Sequence, residues 1–397
     1  MGPLVGCRVV ELAHVMAGPV CGLMLADMGA DVIKLEKPNG DDTRRMVPPQ
    51  INGESAAYMM MNRGKRGLAL DLKAPEAADA LRRLLRGADV VIENYRAGTM
   101  EKLGLGYESL RAENPGLIYV SISGFGRSGP YADRGGFDLI AQGMSGLMSI
   151  TGEGTGRPPV KVGAPVSDIT AGILAAMGVS AAYAHKLRTG QGQVVDTSLF
   201  EAAITHTYWQ SAIAFATGEA PGPMGSAHPL NAPYQAFETA DGWVNVGAAN
   251  QRNWERLVAI LGAPGLAADP RFATNAERMA HRVELEAALN AILRTRPTAA
   301  WLAEFDAGGL PAGPVLDVRQ MHADPQTRAR DMVVATDHPV AGRVEAIGLP
   351  VKFSATPGGS TRPAPLLGQH TREILAEAGY APAEIEAMIG SGAAIAA

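Results

Sequence analysis

Short apolar runs rich in β-branched residues alternate with longer amphipathic stretches through the N-terminal half of the chain. The runs predict β-strands at residues 8–12, 31–35, 89–92, 117–122 and 193–195. The amphipathic stretches predict helices at residues 18–28, 75–86, 109–113, 137–148, 169–187 and 199–216. Strands that alternate with helices in this way are typical of βαβ units, so an α/β fold with a mostly parallel sheet is predicted.

The pattern changes in the second half of the chain. Glycine and proline are concentrated between residues 217 and 233, which indicates a linker or a loop. Two short runs then flank Asp241-Gly242, a pair typical of the turn in an antiparallel hairpin. The predicted hairpin strands are 234–237 and 243–246, and helices are predicted at 253–261 and 282–293. These elements predict a second, smaller α+β domain.

The expected domain organisation divides the chain into four segments. They are a large domain beginning with residues 1–200, a linker helix and loop at 201–224, the small domain at 225–318, and a return segment at 319–397 that completes the large domain. The return segment includes a predicted helix near 370–378, which we expect to pack on the large domain.

Composition narrows the class of protein. The chain has 397 residues, 47% hydrophobic and 19% charged, which suits a globular enzyme too long for one core of ordinary size. Two cysteines, Cys7 and Cys21, cannot supply a disulfide framework, so a reducing compartment is expected. Neither a signal-peptide pattern nor a run of about 18 apolar residues is visible, so we expect a cytoplasmic protein with no membrane partner. The net charge of −5 argues against a nucleic-acid partner.

Positive charge is nevertheless concentrated in the first fifth of the chain. The basic residues there include Lys34, Lys37, Arg44, Arg45, Lys65, Arg66 and Lys73. Such a cluster suits a small polyanionic ligand, and it is equally consistent with a solvated basic face. The sequence alone leaves both interpretations open.

Common cofactor and hydrolase motifs are missing or stand in the wrong context. Gly124, Gly126 and Gly129 form a G-x-G-x-x-G directly after a predicted strand. Pro130 and a polar stretch follow, where a dinucleotide site needs a helix N-terminus. The eight histidines have no spacing suited to a metal, and neither a G-x-S-x-G elbow nor a P-loop occurs. No metal and no permanently bound cofactor are therefore expected.

Asp168 lies where an extended segment gives way to a long apolar helix. The simpler interpretation is that Asp168 is the N-cap of that helix. A carboxylate at a helix N-terminus is also kept ionised by the helix dipole, and Gly163 and Gly172 would let a substrate approach closely. Because an ionised, oriented carboxylate can act as a nucleophile on an activated acyl group, a catalytic interpretation stays open beside the structural one.

Seven sequence motifs follow one another along nearly the whole chain. They cover residues 9–19, 29–36, 62–66, 89–95, 123–126, 190–193 and 365–371. Together, in this order and spacing, they resemble the family III (CaiB/BaiF-type) coenzyme A transferases. The resemblance implies a Rossmann-like large domain, an interlocked homodimer and Asp168 as the residue that carries the acyl group.

The resemblance also implies which residues surround coenzyme A. They are Val15, Met16, Ala17, Lys37, Leu70, Lys73, Asn94, Tyr95 and Lys102. Some formyl transferases have Gln at the position of Met16 and Arg at those of Lys37 and Lys102. The difference at Met16 puts formate- or oxalate-type specificity in doubt. Lysine at positions 37 and 102 keeps the positive charge but lacks the guanidinium group with which arginine makes two parallel hydrogen bonds.

The resemblance further implies that Phe137, Gly225 and His228 contact the acid. Some members cover the active site with a glycine-rich flap, and the corresponding segment 225–228 is less glycine-rich here. With residues 233–237, it is similar to the succinate–hydroxymethylglutarate (dicarboxylate) transferases. His228 is expected either to contact the acid or to be an ordinary loop histidine.

The α-methylacyl-CoA racemases of the same superfamily are the alternative. They need a histidine and an aspartate as a proton-transfer pair, with the histidine in a Gly-His-Asp motif. This sequence has Gly136-Phe137-Asp138 instead, so it lacks that imidazole. Transfer of coenzyme A from an acyl-CoA such as succinyl-CoA to a free dicarboxylic acid is therefore predicted, with backbone amides near Ala17 and in 225–228 stabilising the oxyanions.

Overall fold

The computed structural model describes residues 2–397, which form two compact units. The first unit comprises the chain up to Ser145 together with Val162–His206 and Pro325–Ala397. The second unit comprises Gly146–Lys161 and Thr207–Asp324. Each unit has its own hydrophobic core.

The secondary-structure elements alternate as the sequence pattern predicts. The strands are β1 (Arg8–Glu11), β2 (Asp31–Glu36), β3 (Gln50–Ile51), β4 (Glu54–Ser55), β5 (Arg66–Leu70), β6 (Val90–Glu93), β7 (Ile118–Ser123), β8 (Val194–Ser198), β9 (Tyr234–Glu238), β10 (Trp243–Gly247), β11 (Ala312–Pro314), β12 (Val333–His338), β13 (Gly342–Ile347) and β14 (Ala394–Ile395). The helices are α1 (Ala17–Asp27), α2 (Ala56–Asn62), α3 (Pro75–Arg86), α4 (Thr99–Lys102), α5 (Tyr107–Glu113), α6 (Asp138–Met144), α7 (Val166–Thr189), α8 (Leu199–Ile204), α9 (Tyr208–Thr217), α10 (Gln251–Ile260), α11 (Pro264–Ala268), α12 (Asn275–Ala280), α13 (Arg282–Leu293), α14 (Thr298–Ala307), α15 (Val318–Ala323), α16 (Pro325–Ala329), α17 (Thr371–Glu377) and α18 (Pro382–Gly390). Short 3₁₀ helices lie at Asp42–Arg45, Leu147–Ser149, Thr205–Thr207 and Pro270–Phe272.

A seven-stranded sheet organises the first unit. Its order is β14-β5-β2-β1-β6-β7-β8, with every neighbouring pair parallel except β14 and β5. Because successive side chains of a strand point to opposite faces, Val9 joins the core under α1 and α7, while Val10 joins the core under α3 and α17. The predicted α/β fold with a mostly parallel sheet is confirmed.

Helix α7 is, by length and composition, apolar enough to cross a membrane. In this structure it is a core helix of the first unit. Ala171, Ala175, Val179 and Ala182 follow one another at intervals of three or four residues and are buried in the cluster that includes α1.

The second unit contains a three-stranded antiparallel sheet in the order β11-β10-β9, covered by helices. The hairpin of β9 and β10 turns where the sequence predicts, with the Thr239 amide donating to the Gly242 carbonyl oxygen at 2.9 Å. Trp254 and Phe305 are almost fully buried in its core.

Two helices are shorter than their sequence patterns predict. The helix expected at 137–148 ends at Met144, because Gly146 adopts a left-handed conformation with φ of 86°. The helix expected at 199–216 is interrupted by the 3₁₀ helix Thr205–Thr207, where the Thr205 hydroxyl donates to the Ala202 carbonyl oxygen at 2.7 Å. A threonine that binds a backbone carbonyl in this way disturbs a regular helix.

The unit boundaries differ from the expected domain segments. The second unit starts at Thr207, so α9 belongs to it instead of forming a linker at 201–224. It also includes Gly146–Lys161, far from the rest of the unit in sequence, and it extends to Asp324 instead of residue 318. Strands β5 and β14 are not marked by the sequence pattern, yet they extend the sheet and fasten the C-terminal return segment to the first unit.

Candidate active site

The segment between β1 and α1 forms a strained turn. Val15 has φ of 67°, a left-handed conformation that is costly for a β-branched residue. Asn94 holds the turn by accepting from the His14 amide at 3.0 Å and donating to the His14 carbonyl oxygen at 2.8 Å. The amides of Met16 and Ala17 donate to nothing within residues 2–397. The turn therefore presents open hydrogen-bond donors at the start of α1.

Buried charges support this turn from below. The Lys34 ammonium contacts Asp41 at 2.8 Å and Glu11 at 3.1 Å, and it also donates to the Ala13 carbonyl oxygen. Lys65 contacts the same Glu11 at 2.8 Å. Burial alone would raise the pKa of Asp41, but Lys34 and the Thr43 donors outweigh it and hold that pKa well below its usual range. These charges are satisfied within the fold.

Most of the basic cluster seen in the sequence is consequently not a ligand site. Lys34, Lys65, Arg44 and Arg66 are buried or half-buried in ion pairs with acidic residues of the first unit. Lys37 is exposed and contacts Asp42 at 2.9 Å. Lys73 is exposed, and it forms no ion pair within the described chain. Within the basic cluster, exposed lysines such as Lys37 and Lys73 therefore remain available to a polyanionic ligand.

Three cavities along one side of the first unit share lining residues. The first, of about 270 Å³, is lined by Phe137, Asn94, Tyr95 and His14 among others. The second, of about 110 Å³, shares His14 and Tyr95 with the first and adds Lys37. The third, of about 210 Å³, shares Tyr95 and Lys37 with the second. The cavities therefore form a chain from Phe137 to the third cavity, with the Tyr95 ring common to all of them.

These cavities bring together most of the residues expected to bind coenzyme A. Asn94 and Tyr95 follow β6, Lys37 follows β2, and Leu70 and Lys73 lie at and beyond the end of β5. All three strands are parallel, so their carboxyl ends meet at one edge of the sheet, where ligands of α/β folds bind.

The other expected residues lie nearby in the fold. Lys102 does not line the cavities, although its chain neighbours Glu101 and Leu103 line the first and the third. Val15, Met16 and Ala17 follow His14 at the turn before α1.

Sequence reasoning did not single out several residues that line the first cavity. His14 lies between the first two cavities, with its ring centroid 5.6 Å from that of Tyr95. Burial lowers the pKa of His14. Arg96 and Arg134 also line the first cavity, and within the described chain neither forms an ion pair. The position of His14 directly before Val15, and of Arg96 directly after Tyr95, is the sequence signal that could have identified them.

Asp168 occupies the third position of α7, whose N-cap is Pro165. The N-cap interpretation of Asp168 is therefore wrong. Its carboxylate is half-buried and accepts no hydrogen bond from residues 2–397. Burial raises the pKa of Asp168 to about 6, and the nearby negative charge of Asp138 adds to this effect. Such a carboxylate is ionised at neutral pH, yet more basic than an ordinary aspartate.

Gly172 lies four residues after Asp168 and packs against the start of α1. A Cβ atom at Gly172 would lie 2.6 Å from the Ala17 carbonyl oxygen and 2.8 Å from the Val20 side chain, so glycine is required where α7 packs on α1. Residues four apart share one face of a helix, which puts Asp168 on the face of α7 directed toward the start of α1. The sequence suggested that Gly172 lets a substrate approach, but in the structure this glycine serves helix packing. Gly163 has no atom within 4 Å of such a Cβ.

The glycine-rich segment after β7 has a packing role as well. Cβ atoms at Gly124 and Gly136 would lie 2.7 Å and 2.5 Å from the Cα atom of the other residue, so the two backbones can meet only if both are glycine. Both residues also line the first cavity. The next residue, Phe137, is 77% exposed.

The residues 225–228 belong to the second unit. The amides of Gly225, Ala227 and His228 donate to the carbonyl oxygens of Gly152, Met224 and Tyr234 at 2.8, 3.1 and 3.0 Å. Three of the four amides expected to serve as oxyanion donors are thus already engaged, which corrects that expectation for all but Ser226. The His228 ring stacks on Tyr234 with centroids 5.1 Å apart.

Other chemistries find little support in the described chain. Within residues 2–397, no group of three or more His, Cys, Asp or Glu side chains is arranged to hold a metal ion. Cys7 is buried, which raises the pKa of its thiol to about 12, and Cys21 is buried with its pKa raised further. Buried thiols with raised pKa values are poor nucleophiles.

Comparisons with known proteins identify the family of this chain. Residues 4–371 match CoA-transferase family III. The chain is 44% identical to a succinate–glutarate CoA-transferase of Agrobacterium fabrum, covering 94% of this chain and 95% of the relative. It is 42% identical to a succinyl-CoA:mesaconate CoA-transferase of Haloarcula hispanica, covering 96% and 97%. A crystal structure of a CaiB/BaiF family protein from Brucella suis superposes with a TM-score of 0.85 at 41% identity, covering 95% and 99%. The chain therefore belongs to CoA-transferase family III.

Proposed function

We propose that this enzyme moves coenzyme A from succinyl-CoA, or a closely related acyl-CoA, to a free dicarboxylic acid, with Asp168 as the covalent nucleophile. One observation carries the proposal: a half-buried carboxylate with a raised pKa and no hydrogen-bond partner within the described chain lies on the face of α7 directed toward the open amides before α1. Both named relatives act on pairs of succinate with another dicarboxylate, which supports the choice of substrates.

The proposed reaction begins with attack of an Asp168 carboxylate oxygen on the thioester carbonyl carbon. The carbon–sulfur bond breaks, giving coenzyme A thiolate and a mixed anhydride between Asp168 and the donor acid. The thiolate then attacks the Asp168 carbonyl carbon of the anhydride. The donor acid departs as its carboxylate, and an aspartyl-CoA thioester remains.

The second half of the proposed reaction reverses these steps with the acceptor acid. Its carboxylate attacks the aspartyl-CoA carbonyl carbon. The thiolate leaves, and a mixed anhydride between Asp168 and the acceptor is formed. The thiolate attacks the acceptor acyl carbon, and the new acyl-CoA leaves with Asp168 restored as a carboxylate. No proton or electron enters or leaves the enzyme in these steps, so they balance without an oxidant, a reductant or an external acid.

The open amides of Met16 and Ala17 are suited to the oxyanions of these steps. Met16 is the N-cap and Ala17 the first residue of α1, and at this helix end unpaired N–H groups and the helix dipole favour negative charge. Tyr95, Lys37 and Lys73 line the connected cavities in which we place the pantetheine and nucleotide parts of coenzyme A. Phe137, which lines the first cavity, is proposed to contact the acid. Contact of the acid with Gly225 and His228 stays a prediction from the family resemblance.

Replacement of Asp168 by asparagine tests the mechanism. Asp168→Asn should abolish exchange between succinyl-CoA and labelled glutarate while coenzyme A binding, measured by calorimetry, stays within about threefold. Hydroxylamine should trap an acylated Asp168 in the wild-type protein, identified by peptide mass. Full exchange activity in Asp168→Asn would remove the mechanism.

A panel of acceptor acids tests the substrate class. With succinyl-CoA as donor, glutarate and mesaconate should react faster than acetate or butyrate, because the latter pair lack a second carboxylate. Equal rates for mono- and dicarboxylic acids would contradict the dicarboxylate proposal and leave the mechanism unaffected.

We also propose that the chain works as an interlocked homodimer. Large apolar side chains are exposed in each unit, among them Met177 on α7 at 64%, and Tyr208 and Phe215 on α9 at 75% and 90%. Helix α9 is apolar along most of its length yet has no buried residue, and an exposed apolar patch of this kind commonly marks a protein interface. Light scattering at micromolar concentration should give twice the mass of the chain, and a monomer under these conditions would overturn the proposal.

A further inference from the structure

The local sequence at the start of α7 leaves Asp168 without a backbone partner. Val166, Ser167 and Asp168 are its first three helical residues, after the N-cap Pro165. An acidic side chain at the third position can reach back to the N–H of the N-cap residue in a capping box. Proline has no N–H, so this interaction is impossible here.

A second carboxylate takes over the capping role from another helix. Asp138, the first residue of α6, accepts from the Ser167 amide through Oδ1 at 2.9 Å. Its other oxygen, Oδ2, accepts from the side-chain amide of Gln142 at 2.8 Å. Asp138 therefore satisfies one of the free amides of α7 that a residue of α7 itself would ordinarily satisfy.

Gln142 fixes Asp138 to the segment that leads into α7. It is fully buried, and its Oε1 atom accepts from the Val162 amide at 2.9 Å. Gln142 lies four residues after Asp138, so both side chains are on one face of α6. A buried amide that satisfies both of its polar atoms in this way has one preferred orientation.

We propose that Asp138, held by Gln142, is a positioning residue that caps α7 in place of Asp168 and so leaves the Asp168 carboxylate free to attack the thioester. The inference rests on the proposed function of Asp168. It adds that two aspartates at the start of one helix have different roles. Asp138 accepts the hydrogen bond from the helix, and Asp168 is the nucleophile.

The charge of Asp138 has a second effect on Asp168. After burial, Asp138 is the charged group that raises the pKa of Asp168. The first turn of α1 contributes no acidic residue, and His206 contacts the same part of α7 through the Thr170 hydroxyl at 2.9 Å. A carboxylate with a raised pKa is a stronger nucleophile once ionised, so the negative charge of Asp138 favours the reaction at neutral pH and moves the acid limb of the pH profile upward.

Two substitutions at position 138 separate the hydrogen bond from the charge. Asp138→Asn keeps an oxygen that can accept from the Ser167 amide but removes the charge and the second oxygen that accepts from Gln142. The acid limb of kcat/KM should therefore move to lower pH, while kcat falls by no more than about tenfold, as expected for Gln142→Leu. Asp138→Ala removes the cap as well, and kcat should fall about 100-fold while KM for succinyl-CoA changes less than about twofold. Gln142→Leu, similar in size, should lower kcat by about tenfold because Asp138 loses its support.

Asp317→Asn is the matched control. Asp317 also caps a helix, accepting from the Gln320 amide at 2.7 Å at the start of α15, but it belongs to the second unit. Its replacement should leave the acid limb of the pH profile where it is in the wild-type enzyme. A shift as large as that of Asp138→Asn would show a general effect of charge and overturn the inference.

The outcomes distinguish this inference from the proposed function. An unchanged acid limb in Asp138→Asn, or full kcat in Asp138→Ala, would overturn the positioning role and leave Asp168 as the nucleophile. An active Asp168→Asn would instead remove the proposed function itself. If Asp138→Ala fails to fold by circular dichroism, the pH profile of the nearly isosteric Asp138→Asn decides.

Discussion

Replacement of Asp168 by asparagine is expected to stabilise the folded protein at neutral pH. The pKa of Asp168 is about 6 in the folded protein, against 3.8 for an ordinary aspartate. A raised pKa means that folding favours the protonated form, so ionisation of this carboxyl destabilises the folded state. The cost is absent well below the unfolded-state pKa of 3.8, grows as the pH rises toward 6, and is nearly complete above it. Asparagine carries no charge at any of these pH values and avoids the cost.

The size of the effect follows from the two pKa values. At about 1.4 kcal/mol for each pKa unit, the ionised carboxylate lowers the free energy of unfolding by at most about 3 kcal/mol at pH 8. The same linkage gives about 1 kcal/mol at pH 4.5. Because Asp168 is partly exposed, solvent screening makes these figures upper limits. For a chain of this length, about 3 kcal/mol corresponds to a Tm increase of about 3–4 °C.

Thermal unfolding followed by circular dichroism at pH 4.5, 6 and 8 measures the difference in Tm between Asp168→Asn and the wild type. Asp337→Asn is the control, because Asp337 is an exposed aspartate of β12 in the first unit. The Tm of Asp168→Asn should exceed that of the wild type most at pH 8, and Asp337→Asn should show no such trend. A variant less stable than wild type at pH 8, or a gap that does not depend on pH, would refute the assignment of a destabilising charge to Asp168.

Three further changes separate packing from ligand binding. Gly172→Ala puts a methyl group 2.6 Å from a backbone oxygen of α1 and should lower the free energy of unfolding in urea by about 1–3 kcal/mol, whereas Gly163→Ala, with open space around it, should be neutral. Equal values for the two variants would contradict the close packing of α1 and α7. Lys73→Ala should raise KM for succinyl-CoA by about fivefold at low salt with little change in kcat, and less at high salt; an unchanged KM would exclude Lys73 from the coenzyme site. Arg63→Met leaves Asp27 buried without the partner that it contacts at 2.5 Å, which should cost about 3–5 kcal/mol in the same urea titration. A loss below about 1 kcal/mol would show that this ion pair does not support the fold.

Local patterns in the sequence were sufficient to predict five of the seven strands of the large sheet, β1, β2, β6, β7 and β8. The nearly continuous apolar runs of β1, β2, β6 and β7 reflect burial on both faces, and this signal does not depend on distant contacts. Strand β5 carries a weaker signal, because its five residues include one glycine and begin with an arginine. The interruption between α8 and α9 was not predicted, since apolar residues continue through both helices.

The candidate coenzyme-site residues came from the family resemblance, and the sheet topology explains why several of them lie together. Asn94 and Tyr95 after β6, and Lys37 after β2, meet at one edge of the sheet for topological reasons alone. Asp168 could be identified as a candidate nucleophile or N-cap because it is an acidic residue at the start of a long apolar helix. The roles of Gly172 and of the basic cluster could not be predicted in this way, since both depend on partners far away in the chain.

The sequence by itself determined the α/β fold, the order of the family motifs and a short set of candidate residues. Only the tertiary structure decided which charged side chains form ion pairs inside the fold and which carboxylate is left unpaired. In the sequence, Lys34 and Lys65 are candidates for ligand binding. In the structure, both form buried ion pairs, Lys34 with Glu11 and Asp41 and Lys65 with Glu11. Asp168 is unpaired because a residue thirty positions earlier, Asp138, caps its helix. The ionisation and reactivity of a side chain depend on burial and on neighbours in space, and neither is written in the residues beside it.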